Sequence, residues 1–333
     1  MNGATVSVFG AAGFTGALSA RLLDRHPWFQ LKDITARSEV GKKLSDLYPR
    51  HRVTLELEEL DLDRHASVDA AVIAYPHGEA APLAAAMRDR GVRVVDLSAD
   101  FRLRDPTTYE AWYRAHPAPE LLGEAVYGLP ELGYRERIRD AALVANPGCY
   151  PTAALLALAP LARAGLLEDV VIDAKSGVSG AGRAATEKTH FVAVDENVSA
   201  YGVPRHRHTP EIEQELAALG AELRVTFTPH LLPLDQGELV SCYVALNDGA
   251  EADVEGLYAE AWAGEPFIEV AQAPPGVRDV RETNICRVSV HRDLRPGRAI
   301  VFAVIDNLWK GAASQAVQNL NLMFGRPEGE GIS

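Results

Sequence analysis

Residues 146–152 read NPGCYPT, a single cysteine held between two prolines with glycine directly before it. That much backbone restriction suits a thiol whose sulfur must meet a partner in fixed geometry, although a small apolar residue at a turn would look the same. Cys149 leads into the apolar run YPTAALLALAPLA, in which Pro151 fits the first turn of a helix. A helix N-terminus stabilises a thiolate, lowers the thiol pKa and makes the sulfur a nucleophile. Gly148 leaves room for a substrate, and nearby N–H groups could hold an oxyanion. Cys242 and Cys286 lie in strand-like runs and read as core residues.

A thiol nucleophile needs a base, and HRHTPE at 206–211 offers His206 and His208 with Glu211 close behind. Thr209 is the expected helix cap and Pro210 the first helical residue, which puts Glu211 in the first turn, where it could orient a histidine. A metal pair is the rival reading, but no further carboxylate or cysteine cluster accompanies the HxH, and no metal is expected. A solvated surface HRH remains the bland alternative.

The third element is GAAGFTG at 10–16. Gly10, Gly13, Phe14, Thr15 and Gly16 fall between a first strand and a first helix, where glycines allow a pyrophosphate to approach the helix N-terminus. The spacing is GxxGxxG, a variant of the dinucleotide fingerprint. In LKDITARSEVGKK, Asp33 falls inside the second strand, whereas Arg37 and Ser38 follow its end with Lys42 behind them. Arginine there favours the 2′-phosphate of NADP, unless Arg37 and Lys42 are ordinary surface charges. Pro76–Gly78 follows another strand end, the rim at which a doubly wound sheet takes its cofactor. A nicotinamide beside a thiol points to acyl reduction: the thiolate forms a thioester, and hydride reduces it to an aldehyde.

These groups need scaffolding, and the alternation of the chain supplies it. Strands are expected at Thr5–Phe9, Leu31–Ala36, Asp69–Tyr75, Val92–Leu97 and Ala142–Ala145, with helices at Phe14–Arg25 and near Glu79–Arg90. That pattern predicts a parallel, doubly wound α/β sheet. Beyond Cys149 a helix over Pro151–Ala164 is followed by strands at Val170–Lys175, Leu223–Leu232, Leu239–Leu246, Cys286–His291 and Ala299–Ile305. Helices at Pro210–Leu219 and Val254–Ala263 lie among them, and Gly311–Met323 forms the last helix. This half is α+β, with a mixed or antiparallel sheet, and the boundary falls near 147–149.

The bulk numbers agree. A chain of 333 residues, 47% hydrophobic and 24% charged, suits two globular domains. A net charge of −13 argues against a general affinity for nucleic acid or an anionic membrane. Three scattered cysteines make a disulfide framework or zinc site improbable on spacing. With no basic leader and no apolar run long enough to span a bilayer, a cytoplasmic enzyme is the expectation.

The run VANPGCYPTAALLALAP resembles, position by position, the active-site signature of the N-acetyl-γ-glutamyl-phosphate reductases, the phosphorylating semialdehyde dehydrogenases of arginine biosynthesis. The resemblance extends along the whole chain through GAAGFTG, AYPHG at 74–78, DLSADFRL at 96–103, SGVSGAGR at 176–183, HRHTPEI at 206–212 and DNLWKGAASQAVQN at 306–319. It implies an NADP-binding Rossmann domain over 1–148, completed by a C-terminal helix over 307–325. It also implies a catalytic and oligomerisation domain of the semialdehyde dehydrogenase type over 149–306, in a homodimer or homotetramer.

The same resemblance assigns roles. Cys149 would attack an acyl phosphate and release inorganic phosphate, His208 would accept and return protons, Glu211 would support it, and His206 would assist or bind substrate. Ser98, Arg102, Asn146, Ser176 and Arg183 would lie near the substrate or its phosphate, which guanidinium groups recognise well. Ser179, Gly180 and Asn307 would meet the cofactor. The α-aminoadipyl-phosphate reductases that act on a carrier-protein-linked substrate resemble AGCNATA at the cysteine, not NPGCYPTA. Aspartate-semialdehyde dehydrogenases lack a comparable HRHTPE block. A cysteine hydrolase or acyltransferase without a redox step, or a non-catalytic NADPH sensor, are the rival classes; the glycine fingerprint opposes the first and a reactive thiol the second.

Overall fold

The computed structural model describes residues 3–247 and 252–332. The chain divides into two compact units, Met1–Gly148 together with Ala312–Ser333, and Cys149–Gly311. No helix among the described residues is long and apolar enough to cross a membrane.

The first unit is built on seven strands: β1 (Thr5–Phe9), β2 (Gln30–Thr35), β3 (Leu57–Glu58), β4 (Ala70–Ile73), β5 (Arg93–Asp96), β6 (Val126–Tyr127) and β7 (Leu143–Ala145). They lie in the order β3-β2-β1-β4-β5-β7-β6 with every neighbouring pair parallel. Val6, Val8, Phe9, Val72, Ile73, Val94 and Val95 are fully buried. Continuous apolar runs of this kind belong to strands covered on both faces. The order reverses between β1 and β4, which opens a crevice at the strand ends where ligands bind in such sheets. The helix Ser314–Met323 returns to this unit and is buried at every residue. Its polar members are held by partners: Asn319 Nδ2 donates to Gly128 O at 2.9 Å and Asn321 Nδ2 to Glu330 O at 2.9 Å.

The second unit carries β8 (Leu167–Gly177), β9 (Ser199–Ala200), β10 (Val225–Leu232), β11 (Glu238–Leu246), β12 (Ile268–Val270), β13 (Cys286–Arg292) and β14 (Arg298–Ile305). Their order is β12-β13-β14-β11-β8-β10-β9. The β8–β10 and β12–β13 pairs are parallel and the rest antiparallel, so the sheet is mixed. The helix Cys149–Arg163 packs on β11 and β14 and is buried from Tyr150 to Ala162. It runs on through Pro160, whose missing N–H a helix tolerates only when packing holds it.

The longer strands and helices follow the expected pattern, and the short helices Pro106–Trp112 and Arg135–Asp140 come in addition to it; three differences are instructive. The long buried helix begins at Cys149, not at Pro151, so the thiol stands on the first helical residue. The last helix does not start at Gly311; Trp309–Ala313 forms a π-helical turn and regular α-helix begins at Ser314. Strands β3, β6, β9 and β12 span two or three residues each, too short for a period to register.

Candidate active site

In the first unit the glycine loop is set by sterics. Gly10 has φ +88°, and a Cβ there would lie 2.5 Å from Ala74 O; at Gly16 it would lie 2.3 Å from Gly10 O. Only glycine closes this turn and packs the helix against the strand. Gly13 is different, since a Cβ would approach nothing of the protein closer than 3.5 Å. Its bareness leaves the start of the helix Phe14–Asp24 open, with no side-chain cap. The Phe14 ring meets Tyr48 edge-on at 6.2 Å, and the Thr15 carbonyl accepts from Ser19 Oγ at 2.9 Å.

Beyond β2, Arg37 and Ser38 are exposed, as is Pro76 beyond β4. The Arg37 guanidinium lies over the Tyr75 ring at 4.7 Å and pairs with Glu79. Ala36, Arg37, Val40, Glu59, Leu60 and Tyr75 line a cavity of about 490 Å³. Asp33 is buried inside β2, within 3.5 Å of Ser7 Oγ, and does not reach the strand end. A bare glycine loop and an open helix start fit the pyrophosphate of an adenine dinucleotide, with the pocket beyond β2 beside them.

DLSADFRL forms a closed polar network. Ser98 Oγ donates to Asp96 Oδ2 at 2.6 Å, and Asp100 accepts from Gly78 N at 2.5 Å, Tyr109 Oη at 2.7 Å and Ala81 N at 3.0 Å. Gly78 has φ +78° at this contact. Burial, with Asp100 nearby, pushes the Asp96 carboxyl up to about 7. Arg102 is buried and donates to Asn146 O and Leu97 O, both at 2.8 Å. Asn146 in turn donates to Ala312 O at 3.3 Å and accepts from Asn319 Nδ2 at 3.1 Å. Ser98, Arg102 and Asn146 thus form one cluster that ties the loop after β5 to the returning C-terminal segment.

The second unit holds the thiol. Cys149 is partly exposed, whereas Cys242 and Cys286 are fully buried; burial raises the Cys242 thiol to about 12, which leaves it inert. Around Tyr150, beside the thiol, stand His206 and His208, each with ring centroids 5.9 Å away, and the two histidines lie 4.9 Å apart. Tyr201 Oη donates to Tyr150 Oη at 3.2 Å and packs edge-on against His206 at 5.5 Å. His206 Nδ1 accepts the His208 backbone N–H at 3.2 Å. Burial, reinforced by Arg207, pushes His206 down to about 4, so it is neutral near pH 7.

The helix Thr209–Ala218 has His208, not Thr209, as its N-cap, and Pro210 is its second residue. The turn closes one residue earlier than expected because Thr209 already has helical geometry; its Oγ1 is buried without a hydrogen-bond partner among the described residues and caps nothing. His208 therefore sits at the helix mouth, and Glu211 is buried in the first turn.

At the end of β8 Ser176 is buried, with its Oγ donating to Gly177 O at 3.1 Å, while Gly180 and Arg183 are exposed. Asn307 accepts from Gly237 N at 2.8 Å and donates to Ser179 Oγ at 3.0 Å. Its amide bridges two loops of the second unit, and Ser179 is engaged with it. Ser176, Gly180 and Tyr201 also border a second cavity of about 590 Å³.

Sequence reading missed Glu238, Tyr150, Tyr201 and the Asp96–Asp100 pair. Glu238 carried a signal. Along β11 the residues Glu238, Val240, Cys242, Val244 and Leu246 are all buried in alternation, so an acid occupies a position in phase with an apolar face. It is fully buried.

Residues 5–141 match a family model described as the semialdehyde dehydrogenase NAD binding domain, and residues 149–307 match the semialdehyde dehydrogenase dimerisation domain. A curated protein of Pelotomaculum thermopropionicum named N-acetyl-gamma-glutamyl-phosphate reductase is 49% identical, over 98% of this chain and 97% of its own. A protein of the same name from Desulforudis audaxviator is 50% identical, over 98% and 97%. The chain belongs to the N-acetyl-gamma-glutamyl-phosphate reductase family. Among solved structures, aspartate semialdehyde dehydrogenase II of Vibrio cholerae complexed with ASA superposes with TM-score 0.74 at 19% identity, covering 98% of this chain and 99% of that one. Aspartate semialdehyde dehydrogenase of Candida albicans with NADP gives 0.73 at 14% identity, covering 97% and 98%. At such identities these two show that the reductase family member shares their fold, a parallel Rossmann sheet with a second, mixed-sheet unit.

Proposed function

We propose that this chain reduces N-acetyl-L-glutamyl 5-phosphate to N-acetyl-L-glutamate 5-semialdehyde with NADPH, releasing inorganic phosphate through a Cys149 thioester. The observation that carries the reading is the placement of Cys149 on the first residue of a buried 15-residue helix, beside Tyr150 and the His206–His208 pair. The names of relatives near 50% identity supply the substrate. Arg37 over Tyr75 at the end of β2 supports NADP over NAD.

His208 takes the Cys149 proton, because His206 is held neutral and its Nδ1 is spent on the His208 backbone. Glu211, one turn along, steadies His208. The sulfur forms a bond to the acyl carbon, the bond from that carbon to the phosphate oxygen breaks, and phosphate leaves with the electron pair. The hydride that the thioester carbon needs would come from a nicotinamide held by the first unit. Protonated His208 donates to the oxygen of the resulting thiohemiacetal and takes that proton back as the carbon–sulfur bond breaks, which yields the aldehyde and frees Cys149. Gly10, Gly13, Gly16, Arg37 and Ser38 hold the dinucleotide. The second unit makes the dimer or tetramer contacts, a reading that its match to a dimerisation domain and the exposed Phe191, Val192 and Val198 support.

The test is reverse-direction NADP⁺ reduction with the semialdehyde, with and without inorganic phosphate, in wild type and Cys149→Ser. Phosphate-dependent NADPH formation, lost in the serine variant while NADPH still binds, is the expected result. Near wild-type turnover by Cys149→Ser overturns the mechanism, and phosphate-independent turnover overturns the acyl-phosphate assignment.

A further inference from the structure

Glu238 is the first residue of β11, pairs across the sheet with Ser176 of β8 and Ile305 of β14, and has no exposed surface. Neither of its carboxylate oxygens has an N–H or O–H partner among the described residues. Among the described residues, the hydrogen-bonding side chain beside it is that of Cys149, on the helix that packs on β11; burial holds the Glu238 carboxyl up, and the neighbouring thiol offsets this only in part. A carboxylate left in such a place would be an uncompensated buried charge, which proteins do not hold cheaply.

Among the described residues, the other ionisable groups that act on it give it no counter-charge. Asp306, after β14, is a second carboxyl whose oxygens accept N–H groups of Glu282, Leu308 and Trp309. Tyr150, buried, and Tyr201, half-buried, are phenols whose ionisation is opposed chiefly by burial and further by Glu238 and Cys149. Ser176, opposite in β8, is neutral and bonds to its own strand end.

We infer that Glu238 is a proton-bearing partner of the nucleophile: its carboxylic acid donates a hydrogen bond to the Cys149 sulfur and lets the thiolate exist in a site that tolerates one negative charge but not two. Glu238 keeps its own proton throughout. The Cys149 proton goes to the histidine, the O–H of Glu238 faces the thiolate, and the same O–H meets the sulfur again when the thiohemiacetal breaks. When Glu238 ionises, its charge opposes the thiolate and the nucleophile is switched off.

This rests on Cys149 being the reactive thiol, and the experiment separates the two claims. The rate of iodoacetamide alkylation of Cys149 is followed from pH 5.5 to 9.5 in the full chain, with the modified residue located by peptide mass. Cys242 and Cys286, both fully buried, serve as the internal silent controls. In wild type the rate is expected to climb and then stall or fall above pH about 8, where burial places the Glu238 ionisation. In Glu238→Gln, a neutral amide that still offers N–H, the rate keeps its plateau through pH 9.5 and exceeds wild type about tenfold there. Glu238→Ala, which removes the donor, loses about tenfold at pH 7. A wild-type profile that follows one simple thiol titration with no feature near pH 8 overturns the role of Glu238 without reference to any variant. So does a Glu238→Gln profile that superimposes on wild type. A Cys149 no more reactive than a free thiol at any pH overturns the nucleophile itself.

Discussion

Gly311 stands against Cys149 so closely that a methyl group at 311 would lie 2.8 Å from Cys149 Cβ and 3.3 Å from its Cα. Ile305 Cδ1, at 3.2 Å, closes the other side. The π-helical turn Trp309–Ala313 puts the glycine there, and π turns are found often at functional sites. Gly311→Ala must therefore push the thiol-bearing helix start aside. We expect kcat to fall by about 10–100-fold, since displacement of about 1 Å is that costly to a reacting pair. Thermal unfolding of the variant, measured alongside, should move by only a few degrees.

The two histidines separate in their effects. His208→Asn should cost about 10²–10⁴-fold in kcat, the usual worth of a positioned acid–base group. His206→Asn should cost far less and leave the acid limb of the rate profile near its wild-type position. A His206 variant with the larger loss would exchange their roles.

Stability should show a pH dependence that single variants resolve. His206 and His51 are both held near 4 by burial, His206 with Arg207 and His51 with Arg21 beside it. A depressed histidine means the unfolded chain binds more protons, so their stabilisation is complete above about pH 6.5 and is lost as pH falls toward 4. Asp96 and Glu238, raised by burial to about 7 and about 8, act in the opposite sense. Their folded forms keep protons that the unfolded chain releases, so their contribution is lost as pH rises through that range. The two trends offset between pH 4 and 6.5, and urea midpoints of wild type alone will look nearly flat there. Relative to wild type, His206→Gln should gain on the order of 1–2 kcal/mol between pH 7 and 4.5, whereas Asp96→Asn should gain between pH 5 and 8.

Arg37→Ala should weaken NADPH about 10–100-fold and leave NADH almost unchanged, which is roughly 1.4–2.8 kcal/mol of discrimination. Fluorescence titration with each nucleotide reads it directly. Equal losses for both would mean that Arg37 serves the pocket wall through Tyr75 and Glu79, not the 2′-phosphate.

Asn319→Ala removes donors to Gly128 O at 2.9 Å and Asn146 Oδ1 at 3.1 Å from the middle of a buried helix. Leaving those acceptors unsatisfied should cost about 1–3 kcal/mol in the urea unfolding of the chain.

The parts legible in the sequence were those with local signals. Prolines around Cys149, a glycine loop between strand and helix, and apolar runs in parallel strands each announce themselves within about ten residues. The parallel first sheet and the mixed second one follow from them. What stayed hidden depends on long-range placement. Nothing local says that Arg102 turns inward to the Asn146 carbonyl, or that the Asn307 amide is taken up by Gly237 and Ser179. The cap at His208 instead of Thr209 is a one-residue matter of backbone geometry, finer than residue preference can fix. Glu238 was visible only as an acid in the wrong phase of an apolar strand, a signal that needs the strand's buried face to be known first.

The first unit is interrupted by the second, leaving at Gly148 and resuming at Ala312. Its sheet depends on the helix Ser314–Met323, which packs on β5 and on the helices Phe14–Asp24 and Arg135–Asp140. During synthesis, then, the nucleotide-binding sheet emerges with one flank bare and cannot finish until more than 160 intervening residues have been made. The inserted unit, contiguous in sequence and with its own core, can fold ahead of the unit that began first. Premature termination anywhere in the second unit would thus release a fragment with a bare apolar flank on its first unit, an easy target for proteases.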